Sequence, residues 1–259
     1  MTGLLKWINF SVFLTMIIIN ALANLIPLGG HTTGEVSAGY PNLFTPAPFT
    51  FAIWGVIYLL MGFYSIMQLN MSDTNTSLAR VHSSIGILFI LSCVFNIAWV
   101  FSWHFSKIGL SVICMLLLLA TLICINLRLT LVPDVPLWER LTVYGFNIYL
   151  GWISVATIAN IAVFLVKVNW SGFGIPSIIW TICVIAVGAL IGVGFAMIGQ
   201  RYFAAGAMIW AYFGIVIKHI SSSNASRSFA VAVSAMIAIA IILAFMIVSA
   251  ILPSASNGS

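Results

Sequence analysis

Long apolar runs separated by short polar connections make up almost the whole chain. A helix needs about 20 apolar residues to cross a hydrocarbon core of about 30 Å. Eight runs reach this length or nearly so: residues 7–27, 49–68, 82–104, 108–127, 141–166, 176–198, 202–218 and 228–251. None of them contains Asp or Glu, and none shows the sustained polar–apolar alternation of a barrel strand. The pattern predicts an all-α fold, a polytopic transmembrane helical bundle of about eight spans.

The composition of the chain indicates lipid as its main solvent. Of the 259 residues, 63% are hydrophobic and 5% are charged, whereas soluble domains carry about 25% charged residues. We therefore expect the lipid bilayer as a partner. The nine Lys and Arg residues are scattered singly near the ends of the apolar runs, so we expect no nucleic-acid partner.

The cysteines and histidines do not predict a metal site. The four cysteines lie inside apolar runs and form no CxxC pair, which favours small buried side chains over a disulfide or a zinc site. No two of the four histidines have the spacing of metal or haem ligands. We expect no metal ion and no covalently held cofactor.

The first connection is long and irregular. Residues 29–48 contain four glycines and three prolines, Pro41, Pro46 and Pro48, which favours a loop able to form a lid over one end of the bundle. At the C-terminal end, Pro253 is expected to end the last helix and leave residues 253–259 as a polar tail.

Aromatic and amide side chains recur at helical spacing on three of the predicted spans. Steps of three and four residues place each group on one helix face. The groups are Phe51, Trp54 and Tyr58 on the second span; Asn96, Trp99 and Trp103 on the third; and Tyr149, Trp152, Ala156 and Asn160 on the fifth. Because an unpaired amide in lipid is costly, Asn96 and Asn160 should face the bundle or a cavity. Such faces suit a flat, largely apolar ligand, although the same stripes could simply pack the helices together.

At these same positions the sequence resembles the TspO/MBR family, which comprises the tryptophan-rich sensory proteins and the mitochondrial translocator, or peripheral benzodiazepine receptor. Residues 46–62 (PAPFTFAIWGVIYLLMG) are similar to the loop and second helix of the family. Residues 96–99 (NIAW) are similar to its Asn-x-x-Trp in the third helix, and residues 149–160 (YLGWISVATIAN) to its fifth-helix signature. The three matches occur in order and cover about residues 5–166.

This resemblance implies a five-helix bundle with a cavity beneath the first loop. Family cavities bind porphyrins, haem-like tetrapyrroles, sterols or synthetic isoquinolines, so the resemblance implies a porphyrin or other tetrapyrrole, or a sterol-like molecule, as the ligand, with a non-covalent porphyrin or haem as the possible cofactor. The implied lid is the loop around Pro41, Pro46 and Pro48. The resemblance implies that the pocket is lined by Trp54, Tyr58, Asn96, Trp99, Trp152 and Ala156. The neighbours on the same stripes complete the predicted set of ligand-binding residues with Phe51, Tyr149 and Asn160.

The chain is longer than the five helices that the resemblance implies. We therefore divide it into a TspO/MBR-like ligand-binding bundle (1–167), three additional transmembrane helices (168–252) and the tail (253–259). Small residues on the additional helices, Gly188, Gly192 and Gly194 among them, allow close helix contact. They predict packing onto the five-helix core or a homodimer face.

The expected function is a membrane sensor or carrier for a hydrophobic planar ligand, in the bacterial inner membrane. A secondary transporter or permease component for a small hydrophobic molecule is the alternative, and it is weaker because the spans lack acidic residues and internal repeats. No HExxH, GxSxG or Asp-rich motif occurs, so we do not expect an enzyme. Degradation of a bound porphyrin stays open.

Overall fold

Helices account for all the regular secondary structure that the computed structural model describes, which covers residues 2–26, 28–70, 77–131, 139–198, 201–221 and 225–252. The predicted tail, 253–259, lies outside these residues. The helices are α1 (Thr2–Leu25), α2 (Thr33–Ala38), α3 (Ile53–Met67), α4 (Ser77–His104), α5 (Ile108–Leu129), α6 (Arg140–Lys167), α7 (Ser177–Met197), α8 (Tyr202–Ile220) and α9 (Ala225–Ile251). Short 3₁₀ turns occur at Leu28–Gly30, Pro48–Ala52, Gln68–Asn70 and Gly172–Gly174.

Eight helical segments in the described part of the chain are long and apolar enough to cross a membrane. These eight segments correspond to the eight predicted runs, and α2 is the one described α-helix outside them, so the predicted fold class is confirmed. The bounds differ by a few residues: the first segment covers Gly3–Leu25 and the second, which includes the Pro48–Ala52 turn, covers Pro48–Asn70. Many of the outer side chains are large and apolar, for example Leu59, Leu190 and Phe229, as expected for surfaces that face lipid.

The spans form two groups that are joined through α8. In the first group α4 packs between α1 and α5, and α6 packs against α5 and α3. In the second group α7, α8 and α9 pack against one another, and α8 also packs along α6. Because successive spans run in opposite directions, the first loop lies at the same end of the molecule as the C-terminal ends of α4, α6 and α8. We call this end the lid side.

Small residues allow the two groups to touch. A Cβ atom on Gly151 of α6 would lie 2.2 Å from the backbone oxygen of Ala204 on α8, so the two helices meet backbone to backbone. On α7, a Cβ on Gly188 would lie 2.1 Å from Oη of Tyr212, and one on Gly192 would lie 2.6 Å from Ile242. These glycines therefore serve packing within the chain, while the predicted homodimer stays a prediction.

The prediction that all four cysteines are buried is wrong for two of them. Cys93 and Cys114 are buried, but Cys124 and Cys183 are exposed on the outer surface of their helices. A thiol in an apolar run is compatible with either position, because lipid is as apolar as the protein interior.

Replacing Gly151 by Ala should destabilise the protein, because the added methyl group meets backbone that cannot move aside. We expect a loss of about 1–3 kcal/mol in the free energy of unfolding, measured by denaturant unfolding in a mild detergent. Gly206→Ala on α8 is the control, since nothing lies within 4 Å of a Cβ there. Equal stability of the two variants would contradict the close α6–α8 contact.

Candidate ligand-binding site

The three predicted stripes converge inside the bundle on the lid side. Trp54 lies at their centre, and its ring centroid is between 5.3 and 6.3 Å from those of Tyr58, Trp99, Tyr149 and Trp152. Such separations are in the range of favourable stacked and edge-to-face ring contacts. Because α3 begins immediately after the Pro48–Ala52 turn, Trp54 lies in the first turn of this helix, close to the first loop.

A small cavity lies between these rings and the first loop. Its volume is about 40 Å³, which is room for one or two water molecules. The lining comes from α3, α4, α5, α6 and the loop and consists of Thr33, Ser37, Thr45, Pro46, Phe51, Trp54, Trp99, Trp103, Met115, Trp152, Val155, Ala156, Ala159, Asn160 and Val163. We call this the deep cavity. Its walls are almost entirely apolar and aromatic.

A larger pocket of about 280 Å³ adjoins the deep cavity. The two share Thr33, Phe51, Trp54 and Trp99 as wall residues. The larger one is more polar, and its remaining lining is Asn20, Asn24, Gly34, Pro48 and Tyr58. We call it the outer pocket, and it lies between α1 and the loop. The two volumes together give the site an apolar inner end and a more polar mouth.

A hydrogen-bonded amide layer lies directly beneath the rings. Nδ2 of Asn20 donates to Oδ1 of Asn96 at 2.8 Å, and the hydroxyl of Tyr58 donates to Oδ1 of Asn20 at 2.7 Å. Nδ2 of Asn96 in turn donates to Oη of Tyr149 at 3.1 Å. The layer thus joins α1, α3, α4 and α6, and it holds the rings of Tyr58 and Tyr149 in fixed positions.

An aromatic plug closes the bundle below this layer. The plug is formed by Phe13, Tyr64, Phe89 and Phe146, whose ring centroids lie 5.0 to 6.1 Å apart in contacting pairs. Tyr64 and Phe146 have no exposed surface and Phe89 is 1% exposed. The candidate site is therefore separated from the opposite end of the bundle by tightly packed rings.

The polar atoms in the cavity wall differ in whether they have a partner. Nε1 of Trp99 donates to Oδ1 of Asn160 at 3.0 Å, and Nδ2 of Asn160 donates to Oγ of Ser111 at 2.9 Å. The side chain of Asn160, on α6, therefore links this helix to α4 and α5. By contrast, the buried Nε1 of Trp152 has no hydrogen-bond partner. An unpaired buried donor costs about 1–3 kcal/mol, so this N–H would gain from an acceptor placed in the cavity.

The structure places most of the predicted site residues in the walls. Six of them line the deep cavity: Phe51, Trp54, Trp99, Trp152, Ala156 and Asn160. Tyr58 lines the outer pocket. Asn96 and Tyr149 are 0% and 1% exposed and belong to the amide layer, where they position their neighbours.

The lid prolines take three different positions. Pro46 lines the deep cavity and Pro48 lines the outer pocket. Pro41 lies on the far side of the loop, where it lines a separate surface pocket beside Trp170 and Trp180. The described loop is thus a wall with an inner and an outer face, and its prolines are divided between the two.

The N-terminal half of the loop is fastened to α4. Nε1 of Trp103 donates to the backbone oxygen of Thr33 at 3.1 Å, and Nε2 of His104 lies 3.0 Å from Oγ1 of Thr33. Thr32 and Glu35 form a capping box that starts α2. The backbone N–H and the side-chain hydroxyl of Thr32 both donate to the Glu35 carboxylate. These two bonds, of which the backbone bond has the larger effect, hold the pKa of Glu35 below its usual range.

Several site residues escaped the sequence patterns. Asn20 and Asn24 lie near the end of the first apolar run. Two amides within an apolar span are themselves a sequence signal of a helix face that is turned away from lipid. On α8, Trp210, Gly214 and Lys218 repeat every four residues, which places them on one face. All three contact residues 42–50, which comprise the C-terminal half of the loop and the start of the Pro48–Ala52 turn.

Replacing Asn96 by Leu should remove the centre of the amide layer and leave Asn20 and Tyr149 each short of a partner. We expect a loss of about 1–3 kcal/mol in the free energy of unfolding, measured in detergent. The matched control is Asn147→Leu on α6, because Asn147 donates only to the backbone of its own helix, at Val143. A loss no greater than that of the control would contradict the layer's role.

Lowering the pH should release the capping box of α2. Because the pKa of Glu35 is lowered in the folded state, its capping contribution is present above the usual Glu pKa and is lost as the pH falls through the lowered one. The amide NMR shift of Thr32 should therefore titrate with a midpoint below the usual Glu range, and Glu35→Gln should abolish that titration. A midpoint in the usual range would contradict the capping geometry.

Comparison with known proteins agrees with this architecture. A family model described as TSPO-like protein matches residues 6–248. No curated protein and no solved structure matches the chain. The match extends beyond the residues 5–166 that carry the motifs and includes α7, α8 and most of α9. The chain is therefore a member of the TSPO-like family of membrane proteins.

Proposed function

We propose that this protein binds a flat, mainly apolar small molecule in the deep cavity and the outer pocket beneath the first loop. The observation that carries the proposal is the convergence of aromatic rings from three spans on a cavity whose wall contains the unpaired indole N–H of Trp152. Packing alone does not require a vacant volume or an unpaired donor at the meeting point of the stripes.

The chemistry of the walls indicates what the ligand should carry. The rings of Trp54, Trp99 and Trp152 offer flat apolar surfaces for stacking. Asn160 already uses its oxygen in a bond with Trp99 and one N–H in a bond with Ser111, whereas the N–H of Trp152 has no partner and can orient a ligand in the deep cavity. A ligand with a hydrogen-bond acceptor on its inner edge, such as a carbonyl or carboxylate oxygen, would pair this N–H.

The volumes indicate which members of the family's ligand classes fit without rearrangement. Ligand sites usually enclose about 300–1,000 Å³. The deep cavity, at about 40 Å³, is far smaller, and the outer pocket, at about 280 Å³, is near the lower limit. A small flat molecule could occupy the outer pocket and extend a ring inward. A porphyrin or sterol-like ligand requires the loop to move outward.

The proposed role is non-covalent binding, as a sensor or carrier in the bacterial inner membrane. Among the described residues that line the deep cavity there is no carboxylate, histidine, cysteine or lysine. The described lining therefore offers a ligand in the deep cavity none of these four common groups for general acid or base catalysis. We therefore propose binding as the activity and do not assign a catalytic residue.

Titration of the purified protein with protoporphyrin IX, followed by porphyrin absorbance, tests the proposal. The wild type should show saturable binding, and Trp152→Phe should bind about 5- to 10-fold more weakly, because the ring is kept and one hydrogen bond is lost. Trp180→Phe is the control, since its N–H already donates to the backbone oxygen of Gly172, remote from the cavity. Absence of saturable binding by the wild type would contradict the proposed function.

A further inference from the structure

We infer that α8 is a latch for the lid, in which Trp210, Lys218 and His219 are positioning residues that hold the C-terminal half of the first loop over the ligand cavity. In holding the loop they set the size of ligand that enters and the rate at which a large ligand leaves. The inference deepens the proposed function and assigns a role to the helices beyond the fifth span.

The end of α8 on the lid side supplies two side chains to the loop backbone. Nζ of Lys218 donates to the backbone oxygens of Thr45 at 2.7 Å and Asn42 at 3.1 Å. Nε2 of His219 lies 2.8 Å from the backbone oxygen of Leu43. Because a carbonyl oxygen can only accept, Nε2 carries the hydrogen atom and donates it to this bond. Three of the four consecutive carbonyls from Asn42 to Thr45 are thus held by one helix end. Bonds from a charged donor are about twice as strong as neutral ones.

One and two turns earlier along α8, the contact continues through backbone and indole groups. Nε1 of Trp210 donates to the backbone oxygen of Thr50 at 2.9 Å, and the Ala47 N–H donates to the backbone oxygen of Gly214 at 3.1 Å. A Cβ on Gly214 would lie 2.1 Å from Cγ2 of Thr50. Glycine is therefore required for the loop to lie this close to the helix.

The latched segment also forms a wall of the ligand site. Thr45, Pro46 and Phe51 line the deep cavity, whereas the carbonyls of Asn42, Leu43, Thr45 and Thr50 accept hydrogen bonds from α8. The segment is therefore held from one face while its other face closes the cavity. Since α8 meets α6 backbone to backbone at Gly151 and Ala204, the latch is fixed to the same helix that carries Trp152 and Asn160.

The two halves of the loop are consequently anchored to different helices. Thr33 is fastened to α4 through Trp103 and His104, and residues 42–50 are fastened to α8. The outer pocket lies on the side of α1, and its lining includes Asn20, Asn24 and Gly34 but none of the latch side chains. A small ligand can use this mouth with the latch intact. A macrocycle must displace the segment around Thr45 and Pro46, which requires the bonds to α8 to break.

The test compares Lys218→Met with Lys167→Met, in full-length protein in nanodiscs. Lys167 is the matched control, because it is a lysine at a helix end on the same side whose Nζ donates to a backbone oxygen outside the lid, that of Ser106. The first readout needs no ligand: amide hydrogen exchange of peptides covering residues 40–51. Exchange should be faster by about ten-fold or more in Lys218→Met and unchanged in Lys167→Met. Lys218→Arg, which keeps the charge and donors, should restore slow exchange in part.

The second readout is the dissociation rate of protoporphyrin IX, measured by stopped-flow displacement. Lys218→Met should release the porphyrin on the order of ten-fold faster than the control. Unchanged loop exchange overturns the latch, whatever the ligand result. Faster exchange with an unchanged dissociation rate overturns the positioning role. If the wild type does not bind porphyrin, the proposed function fails, and the loop exchange alone decides whether α8 holds the lid.

A second variant covers the case in which Lys218→Met does not fold. Trp210→Phe keeps an aromatic ring beside Phe49 and Phe213 and removes only the N–H that reaches Thr50. It should speed exchange at the C-terminal end of the same peptides. Unchanged exchange in this folded variant overturns the latch as well.

Discussion

The structure depends on one constraint: in hydrocarbon, a polar side chain must find its partner within the protein. Water does not compete for the amides of Asn20, Asn96 and Asn160, so each must be oriented towards another span. The resulting bonds fix the rotation of α1, α4 and α6 about their own axes. Once the rotation is fixed, the tryptophans spaced along the same faces must also point inward. The ring-lined cavity is therefore a consequence of how the amides are satisfied.

Much of this could be predicted from the sequence, for physical reasons that are specific to membranes. The length of each span follows from bilayer thickness, so the runs alone located the helices to within a few residues. The inner faces of α4 and α6 followed from the amide argument, because Asn96 and Asn160 identify the inner side of helices that are apolar all round, and the inner face of α3 followed from its aromatic stripe. The same argument would have identified Asn20 as an inner residue of α1.

Other parts could not be predicted because they depend on contacts between distant segments. The bond from Lys218 to Asn42 joins residues 176 positions apart, and that from Trp210 to Thr50 joins residues 160 apart. A lysine near a helix end is expected to reach for lipid headgroups, and no local pattern distinguishes that from binding loop carbonyls. Likewise, Tyr149 shares the stripe of Trp152, but only the depth of packing places it in the amide layer instead of the cavity wall.

The ring of Phe89, packed among Phe13, Tyr64 and Phe146, gives the proposed ligand site a closed inner end. A molecule that enters the proposed site from the lid side would meet these four rings at its inner end. Net movement across the bilayer would demand a second arrangement in which those four rings part while the loop stays shut.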